Sequence, residues 1–344
     1  MNEHTYEILS IGNAIVDILS HVNEEFLTRH SLEKGAMQLV DETRSRTLLS
    51  TLSDTLRASG GSAANTAACI ASLGASSAYI GKVAEDELGQ AFREDMDRAG
   101  VEFGSGEPFD AVATANCLAV VTPDGERTMS TFLGACRELS KNDISEHLVA
   151  SSRIVFLEGY LFDNDSSAKA LHAAAYIARG AGREVALTLS DANCVRRNRV
   201  LFKSMLVGGL VDILIANEKE IAALLEDVRP EITAHESIEF CRNFAFTTVV
   251  TLGPHGAAVI ADGEVSRAPA FAVDAVIDLV GAGDSFAAGY LVGHARGLRP
   301  LECLTLGAAC AAEIITTNGA RPARPLSELP AVATILEQAA PAAA

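Results

Sequence analysis

Apolar and polar positions alternate with two different periods along the chain. From residue 153 onward, short apolar runs are separated by longer amphipathic stretches. The runs predict strands at 154–157, 185–189, 211–216 and 247–251, and the stretches predict helices at 165–179, 195–206, 218–226 and 235–243. A run at 8–11, a strand at 77–83 and helices at 63–73 and 87–99 extend the same pattern toward the N-terminus. Buried strands that alternate with helices predict an α/β fold, with a Rossmann-like, mostly parallel sheet and helices on both faces.

Residues 112–133 follow a period of two instead. Alternating apolar positions run up to Thr122-Pro123-Asp124-Gly125, a strong turn sequence, and then return, which predicts a β-hairpin. Together with 18–22 and 34–40, this hairpin predicts a small separate β-sheet. The four leucines within 41–56 predict a helix, 256–261 and 264–268 predict another hairpin, and the alanine-rich tail beyond Pro330 is expected to fray.

Composition narrows the class of protein. The 344 residues are 49% hydrophobic and 21% charged, enough for one large core and a small accessory unit. A net charge of −18 without a basic cluster argues against nucleic acid and membrane as partners. Seven scattered cysteines without a CxxC pair, and an acidic N-terminus, indicate reduced thiols, no zinc site and a cytoplasmic protein.

The stretch from Asp278 to Leu291, DLVGAGDSFAAGYL, carries the strongest chemical signal. Gly281, Ala282 and Gly283 predict a tight turn that opens a helix, where bare backbone N–H groups attract an anion. Asp284 follows at once, placed to take a proton from a hydroxyl that attacks a bound phosphate. An ordinary glycine turn with Asp284 as a helix cap explains the same residues.

Three other constellations each have a functional and a structural interpretation. Thr251, Gly253 and Gly256 in TLGPHG suit a nucleotide or a plain turn. Asn217 and Glu220 in ANEKE suit a hydrated Mg²⁺ ion or a capping box. A glycine turn at the start of a helix, together with polar residues near the first strand, suits a polyol or a capped helix and a satisfied buried acid; its members are Gly60, Gly61, Ser62, Asn65 and Asp17.

The joint order of these motifs resembles the ribokinase-like (PfkB-type) carbohydrate and nucleoside kinases over about residues 6–325. GGSAAN and GAGDSF are the specific marks. The resemblance implies one kinase domain over 1–330, whose β-sheet lid comes from about 13–40 and 100–133, and a C-terminal tail over 331–344. It implies ATP and Mg²⁺ as cofactors, and it allows for a monovalent cation near 274–278.

The resemblance also implies roles for single residues. Asp284 would be the general base, and the turn Gly281, Ala282, Gly283 would form the anion hole. The acceptor site would use Asn13, Asp17, Gly60, Gly61, Ser62 and Asn65. ATP would lie along Asn217, Thr251, Gly253, Gly256, Ala309, Ala312 and Asn318, and the water shell of Mg²⁺ would be held by Glu220 and Asn217.

Within the family, the chain is most similar to the adenosine kinases. GNAIVDI matches their first motif, Gln38 stands where they place a glutamine near the purine, and Arg127 matches a lid arginine that reaches the phosphates. Leu161 replaces an aromatic residue often found there, so base stacking is expected to shift to a neighbour or to be lost. The alternatives are a ribose or fructose kinase, a kinase of another nucleoside, and a non-catalytic sensor; the missing GxGxxG after the first strand excludes a dehydrogenase. A monomer and a lid-mediated homodimer both remain compatible with the sequence.

Overall fold

The computed structural model describes residues 5–104, 106 and 109–338, which contain two β-sheets and surrounding helices. The strands are β1 Tyr6–Ile11, β2 Ile15–His21, β3 Met37–Leu39, β4 Leu56–Gly60, β5 Ser77–Ile80, β6 Val101–Gly104, β7 Ala115–Val121, β8 Arg127–Phe132, β9 Ser152–Glu158, β10 Glu184–Thr188, β11 Ile213–Asn217, β12 Thr247–Thr251, β13 Ala257–Ala261 and β14 Glu264–Ala268. The α-helices are α1 Glu24–Arg29, α2 Glu42–Leu49, α3 Ser62–Ser72, α4 Glu87–Arg98, α5 Glu146–Ala150, α6 Asp165–Gly180, α7 Ala192–Val207, α8 Glu218–Leu225, α9 Ala234–Cys241, α10 Ala282–Ala295, α11 Pro300–Ile314 and α12 Pro330–Leu336.

The large sheet has nine strands in the order β14-β13-β12-β11-β10-β9-β1-β5-β6. Strands β6 through β12 in that order run parallel, and the hairpin β13–β14 adds two antiparallel strands at one edge. Two apolar cores lie on its two faces, one around Phe156 and Leu291 and the other around Leu157 and Leu187. The predicted α/β fold with helices on both faces and a second small sheet is therefore confirmed.

The small sheet has five strands in the order β3-β8-β7-β2-β4. The predicted hairpin is its centre, because β7 and β8 pair antiparallel across the turn at Thr122–Gly125. One face packs on the short helices α1 and α2 through Ile18, Leu118 and Val120, all buried. The opposite face carries Asp17 and turns toward the large sheet's crevice.

Three details of the sequence prediction differ from the structure. The helix expected over 41–56 ends at Leu49, because Asp54 has a left-handed φ of 53° and the chain then enters β4 beside β2. β6 pairs with β5 in the large sheet, so the small sheet draws on 15–60 and 115–132 rather than on 13–40 and 100–133. Pro330 does not begin a frayed tail but opens α12, where Val332 is fully buried.

The helices of the described residues include none that is long and apolar enough to cross a membrane.

The glycine at position 256 can be explained by packing rather than by ligand binding, and a comparison with Gly182 tests this. The φ of Gly256 is +86°, and an added Cβ would overlap the carbonyl oxygen of Ala268 on β14. Gly182 has a similar φ of +69°, but no atom lies within 4 Å of its Cβ position. We expect Gly182→Ala to lower the free energy of unfolding by about 1 kcal/mol, the cost of the left-handed backbone. Gly256→Ala should lower it by about 3 kcal/mol, because the overlap adds to that cost. Urea unfolding measures both, and equal losses would contradict the packing role.

Candidate functional site

The crevice of the large sheet opens where β1 lies between β5 and β9. The chain leaves β1 toward β5 on one side, and later strands continue from β9 on the other, so this is a topological switch point, where ligands bind in open α/β sheets. Asn13 follows β1, and Glu158 ends β9. The Asn13 amide donates to Glu158 Oε1 at 2.8 Å and closes the floor of the crevice.

Two helices begin at this crevice, and each is preceded by a glycine that no other residue could replace. Gly61 before α3 has φ +97°, and a Cβ there would overlap the carbonyl oxygen of Asn13. Gly281 before α10 has φ +80°, and a Cβ there would overlap Ala320. The glycines therefore hold both helix starts close to neighbouring backbone, as expected for a crevice built from helix N-termini.

Asp284 in the first turn of α10 lies between these two helices. Its Oδ1 accepts a hydrogen bond from Ser62 Oγ at 2.7 Å, and its Oδ2 accepts one from Asn65 Nδ2 at 3.0 Å. Burial raises the pKa of Asp284, and the hydrogen bonds from Ser62 and Asn65 oppose that rise. Ser62 and Asn65, predicted to hold an acceptor hydroxyl, thus also orient the predicted base.

Asp17 enters the crevice from the small sheet. It pairs in register with Cys117 and Ala58, and an added Cβ at Gly60 would overlap its carboxylate, so the missing side chain at Gly60 leaves room for Asp17 in its present position. No hydrogen bond to its carboxylate is formed within the described part of the chain. Burial raises the pKa of Asp17 to about 6, while Arg321 and Arg127 lower it. A carboxylate kept without partners at a helix-lined crevice is free to accept from a ligand.

Arg321 is a site residue that the sequence did not reveal. Its guanidinium donates to Asn65 Oδ1 at 3.1 Å and to the carbonyl oxygen of Ser59 at 3.0 Å. The sequence signal was only an arginine just beyond the Asn318-Gly319 turn, which the resemblance assigned to the nucleotide.

Glu158 is the second residue that sequence reasoning missed. It is 1% exposed, and its Oε2 accepts from the backbone N–H of Ala63 at the start of α3. Burial raises its pKa to about 7, and the hydrogen bonds from Ala63 and Asn13 oppose the rise. An acid directly after the apolar run 154–157 was the available signal.

Asn217 and Glu220 form the complete capping box that the structural interpretation requires. Asn217 Oδ1 accepts from the N–H groups of Lys219 and Glu220, and Glu220 Oε2 accepts from Asn217 N. The same pair also lines a cavity of about 90 Å³ together with Thr251, Gly283 and Asp284. Burial raises the pKa of Glu220 to about 7. Asn217 and Glu220 therefore cap α8 and form part of the cavity wall at the same time.

The residues expected along ATP fall into two groups. Ala309 and Ala312 line a cavity of about 550 Å³ between α11, α12 and the segment 271–277. Thr251 lines the small cavity, and the Cβ position of Gly253 is open. Asn318 is exposed and lies outside the lining of both cavities, and the glycine at 256 is explained by its packing on Ala268.

Gln38 does not face the crevice. Leu39 lies in the same row as Thr131, Cys117 and Asp17, and successive side chains of a strand point to opposite faces. Gln38 accordingly lies on the other face and donates to Ser130 Oγ at 3.3 Å. Its predicted contact with a purine is contradicted by the strand register.

Leu161 and Arg127 also differ from expectation. Leu161 is 1% exposed and packs in the core of the large sheet, whereas Tyr160 beside it is 38% exposed. The accessible aromatic residue is therefore Tyr160. Arg127 faces the crevice but forms an ion pair with Asp278 at 2.8 Å, which joins the small sheet to the loop before α10.

The buried carboxylate of Asp17 should cost stability at neutral pH. Burial raises its pKa from 3.8 to about 6, so the folded state keeps a proton that the unfolded state loses as the pH rises through this window. The contribution of the protonated Asp17 to the free energy of unfolding is fully present below pH 3.8 and is lost by about pH 6. We expect Asp17→Asn to raise the free energy of unfolding by about 3 kcal/mol at pH 7.5, at 1.36 kcal/mol per pKa unit. At pH 4 the free energy of unfolding should change little. Urea unfolding across pH 4–8 measures this, and a gain independent of pH would contradict it.

Comparison with known proteins agrees with this geometry. A crystal structure of an adenosine kinase from Sinorhizobium meliloti is 42% identical, with a TM-score of 0.84 and coverage of 97% of this chain and 99% of that one. A probable sugar kinase from Rhizobium etli is 38% identical, with a TM-score of 0.87 and coverage of 96% and 99%. An ATP-dependent ribose-1-phosphate kinase from Halopiger xanaduensis is 32% identical over 77% of this chain and 82% of its own length. The model of the pfkB family carbohydrate kinases matches residues 36–326, and the chain belongs to that family of phosphotransferases.

Proposed function

We propose that the protein transfers the γ-phosphoryl group of ATP to the 5′-hydroxyl of adenosine, giving AMP and ADP, with Asp284 as the general base. The observation that carries the proposal is the Asp284 carboxylate, fixed by Ser62 and Asn65 at the start of α10. A carboxylate at a helix start repels a bound phosphate, so its value there lies in accepting the proton of the attacking hydroxyl. The raised pKa of Asp284 increases its affinity for that proton.

The first turn of α10 supplies donors for the transferring phosphoryl group. The Ala282 N–H donates to Leu279 O at 3.3 Å, while the N–H groups of Gly283 and Asp284 have no backbone acceptor among the described residues. The Cβ position of Gly283 is open, which leaves space for a phosphate against the backbone. The helix dipole adds favourable charge at the same point. Gly281 shapes the turn, and Gly283 and Asp284 form most of the anion hole.

The small cavity suits magnesium held through water. Glu220 and Asn217 satisfy each other, so their oxygens can orient water rather than replace it, as Mg²⁺ requires. Ser190 lines the same cavity, and its buried Oγ has no hydrogen-bond partner among the residues that the structure describes, so it provides a further oxygen for the water shell. The ion would neutralise charge on the phosphates of ATP. The adenine of ATP would occupy the 550 Å³ cavity beside Ala309 and Ala312.

A third cavity, distinct from those proposed for magnesium and adenine, supports a nucleoside acceptor. It has a volume of about 600 Å³ and is lined by Leu39, Thr131, Leu133 and Arg137. Thr131 is two strands away from Asp17 in the same row, roughly 10 Å at the usual strand spacing. A ribose held by Asp17 and Asn13 would thus place its base toward this cavity, where Leu39 and Leu133 offer apolar contacts. The adenosine kinase from Sinorhizobium meliloti, at 42% identity, supports the same acceptor.

The small sheet is proposed to act as a lid over the acceptor, with residues 1–330 as a single kinase domain. Its crevice face carries Asp17 and Arg127, and the ion pair of Arg127 with Asp278 holds it across the cleft. Release of Arg127 from Asp278 would let it reach the phosphates of ATP. Seven free thiols support a reducing, cytoplasmic setting.

A sugar kinase is the second candidate. Gln38 faces away from the crevice, which removes one expected purine contact. The ribose-1-phosphate kinase and the probable sugar kinase among the relatives support the same alternative.

Asp284→Asn should lose most of its turnover while it still binds ATP. Asparagine keeps the size of the side chain but cannot take the proton, and general-base removal costs about 10²–10⁴ in kcat. Steady-state assays with ATP and Mg²⁺, and ATP titrations by calorimetry, measure the two effects. Asp97→Asn, an exposed acid on α4, is the control. Turnover of Asp284→Asn within a few-fold of the wild type would refute the assignment.

Adenosine should have a far higher kcat/KM than ribose or fructose. A bound base adds apolar burial that a bare sugar lacks, and this remote binding energy can position the 5′-oxygen. Leu133→Ala should lower kcat/KM for adenosine about tenfold and barely change that for ribose, because Leu133 lines the cavity proposed for the base. Tyr176→Ala, exposed on α6, and Gln38→Ala, on the far face of the lid, should leave the ratio unchanged. Preference for a sugar would reject the nucleoside assignment and keep the kinase.

A further inference from the structure

The charge of Arg321 acts on the proposed base, and the hydrogen bonds of Arg321 reach that base through a single side chain. Its Nε donates to Asn65 Oδ1 at 3.1 Å, and the other end of the Asn65 amide donates from Nδ2 to Asp284 Oδ2 at 3.0 Å. A second guanidinium nitrogen donates to the carbonyl oxygen of Ser59 at 3.0 Å and to Ser59 Oγ at 2.7 Å. Two guanidinium nitrogens of Arg321, Nε and one terminal nitrogen, are thus held by hydrogen bonds.

Arg321 and Asp284 fix the same orientation of the Asn65 amide from its two sides. A guanidinium has only donors, so the side of Asn65 that faces Arg321 must be its oxygen. A carboxylate has only acceptors, so the side that faces Asp284 must be the NH₂ group. Without Arg321, the amide would be held by the Asp284 carboxylate alone, and its oxygen would lose the donor that fixes it.

Arg321 also affects the protonation of Asp284 through its charge. The acids that face the crevice are Asp17 from β2, Glu158 from β9 and Glu220 of α8, and Glu220 lines the same small cavity as Asp284. Cys69 of α3 also lies near Asp284. Each negative charge there favours the protonated form of its neighbours. Arg321 favours the charged forms of both Asp284 and Asp17, and Arg127 acts on Asp17 from β8.

The backbone before Arg321 is held against the start of α10. A Cβ on Gly281 would overlap Ala320, so the two segments pack backbone to backbone. Asp95 of α4 accepts from Ser59 N at 2.9 Å and fixes the other partner of the guanidinium. Arg321 therefore has little freedom to leave Asn65.

We propose that Arg321 is a positioning residue that fixes the Asn65 amide and, through it, the orientation and charge of the Asp284 carboxylate. The inference rests on the proposed function, because it assigns to Arg321 the control of the base named there. It accounts for a buried arginine at a phosphoryl-transfer site that makes its hydrogen bonds to Asn65 and Ser59.

The test is the pH profile of kcat, with ATP, Mg²⁺ and adenosine as substrates, or ribose if that is the better acceptor. Arg321→Met should move the acidic limb about one pH unit upward, because Asp284 then takes up its proton at higher pH. The variant should therefore lose more activity on the acidic side of the profile than at pH 9, up to about tenfold for a shift of one pH unit. Arg321→Lys keeps the charge but not the planar fork, so its acidic limb should stay near that of the wild type while kcat falls at every pH.

Arg324→Met is the matched control, since Arg324 lies on the same segment and pairs with Glu313 outside the crevice. Arg321→Gln replaces Arg321→Met if circular dichroism shows that the methionine variant does not fold. An acidic limb of Arg321→Met or Arg321→Gln at the wild-type pH, with an equal loss at all pH values, would overturn the inference. If Asp284→Asn keeps wild-type kcat, the proposed base itself fails, and the two failures are distinguishable.

Discussion

The structure depends on one meeting point, where the starts of α3 and α10 face each other and Asp284 joins them. Ser62 and Asn65 of α3 donate to both oxygens of a carboxylate that belongs to α10. Both helices begin after glycines, Gly61 and Gly281, that lie too close to the backbone of Asn13 and Ala320 for a side chain to fit. The positive ends of two helix dipoles and a buried acid thereby share one crevice, which is electrostatically suited to a phosphate and a proton acceptor.

The large sheet brings these helices together because of its strand order. β1 pairs with β5 and β9, so the chain departs in opposite directions from neighbouring strands, and a crevice opens beyond their carboxyl ends. Asn13 follows β1, Glu158 ends β9, and the two side chains bond to each other; Glu158 also accepts from the N–H of Ala63 in the first turn of α3. The floor of the site is thus part of the sheet, whereas its roof belongs to the second, smaller sheet.

Burial gives the site its chemistry and also its cost. Asp17 and Glu158 have pKa values raised by desolvation to about 6 and about 7, and the pKa of Asp284 is raised as well. A fold that only needed stability would place apolar groups there. Arg321 partly compensates the acids, since its guanidinium is opposite in charge to both Asp17 and Asp284. Acids kept without full compensation are typical of a site that must accept protons and bind hydroxyls.

The sequence by itself determined the fold class, the hairpin at 112–133 and the motifs on which the family assignment rests, because these depend on local period, turn residues and short spacings. Tertiary structure decided which way the side chains point. Leu161 became core while Tyr160 stayed accessible, and Gln38 fell on the far face of its strand because register, a property of paired strands, sets the face. Arg321 and Glu158 join the site through long-range contacts, and those with α3 span 256 and 95 residues. No local pattern encodes such contacts, since they depend on the order in which the sheet assembles its strands.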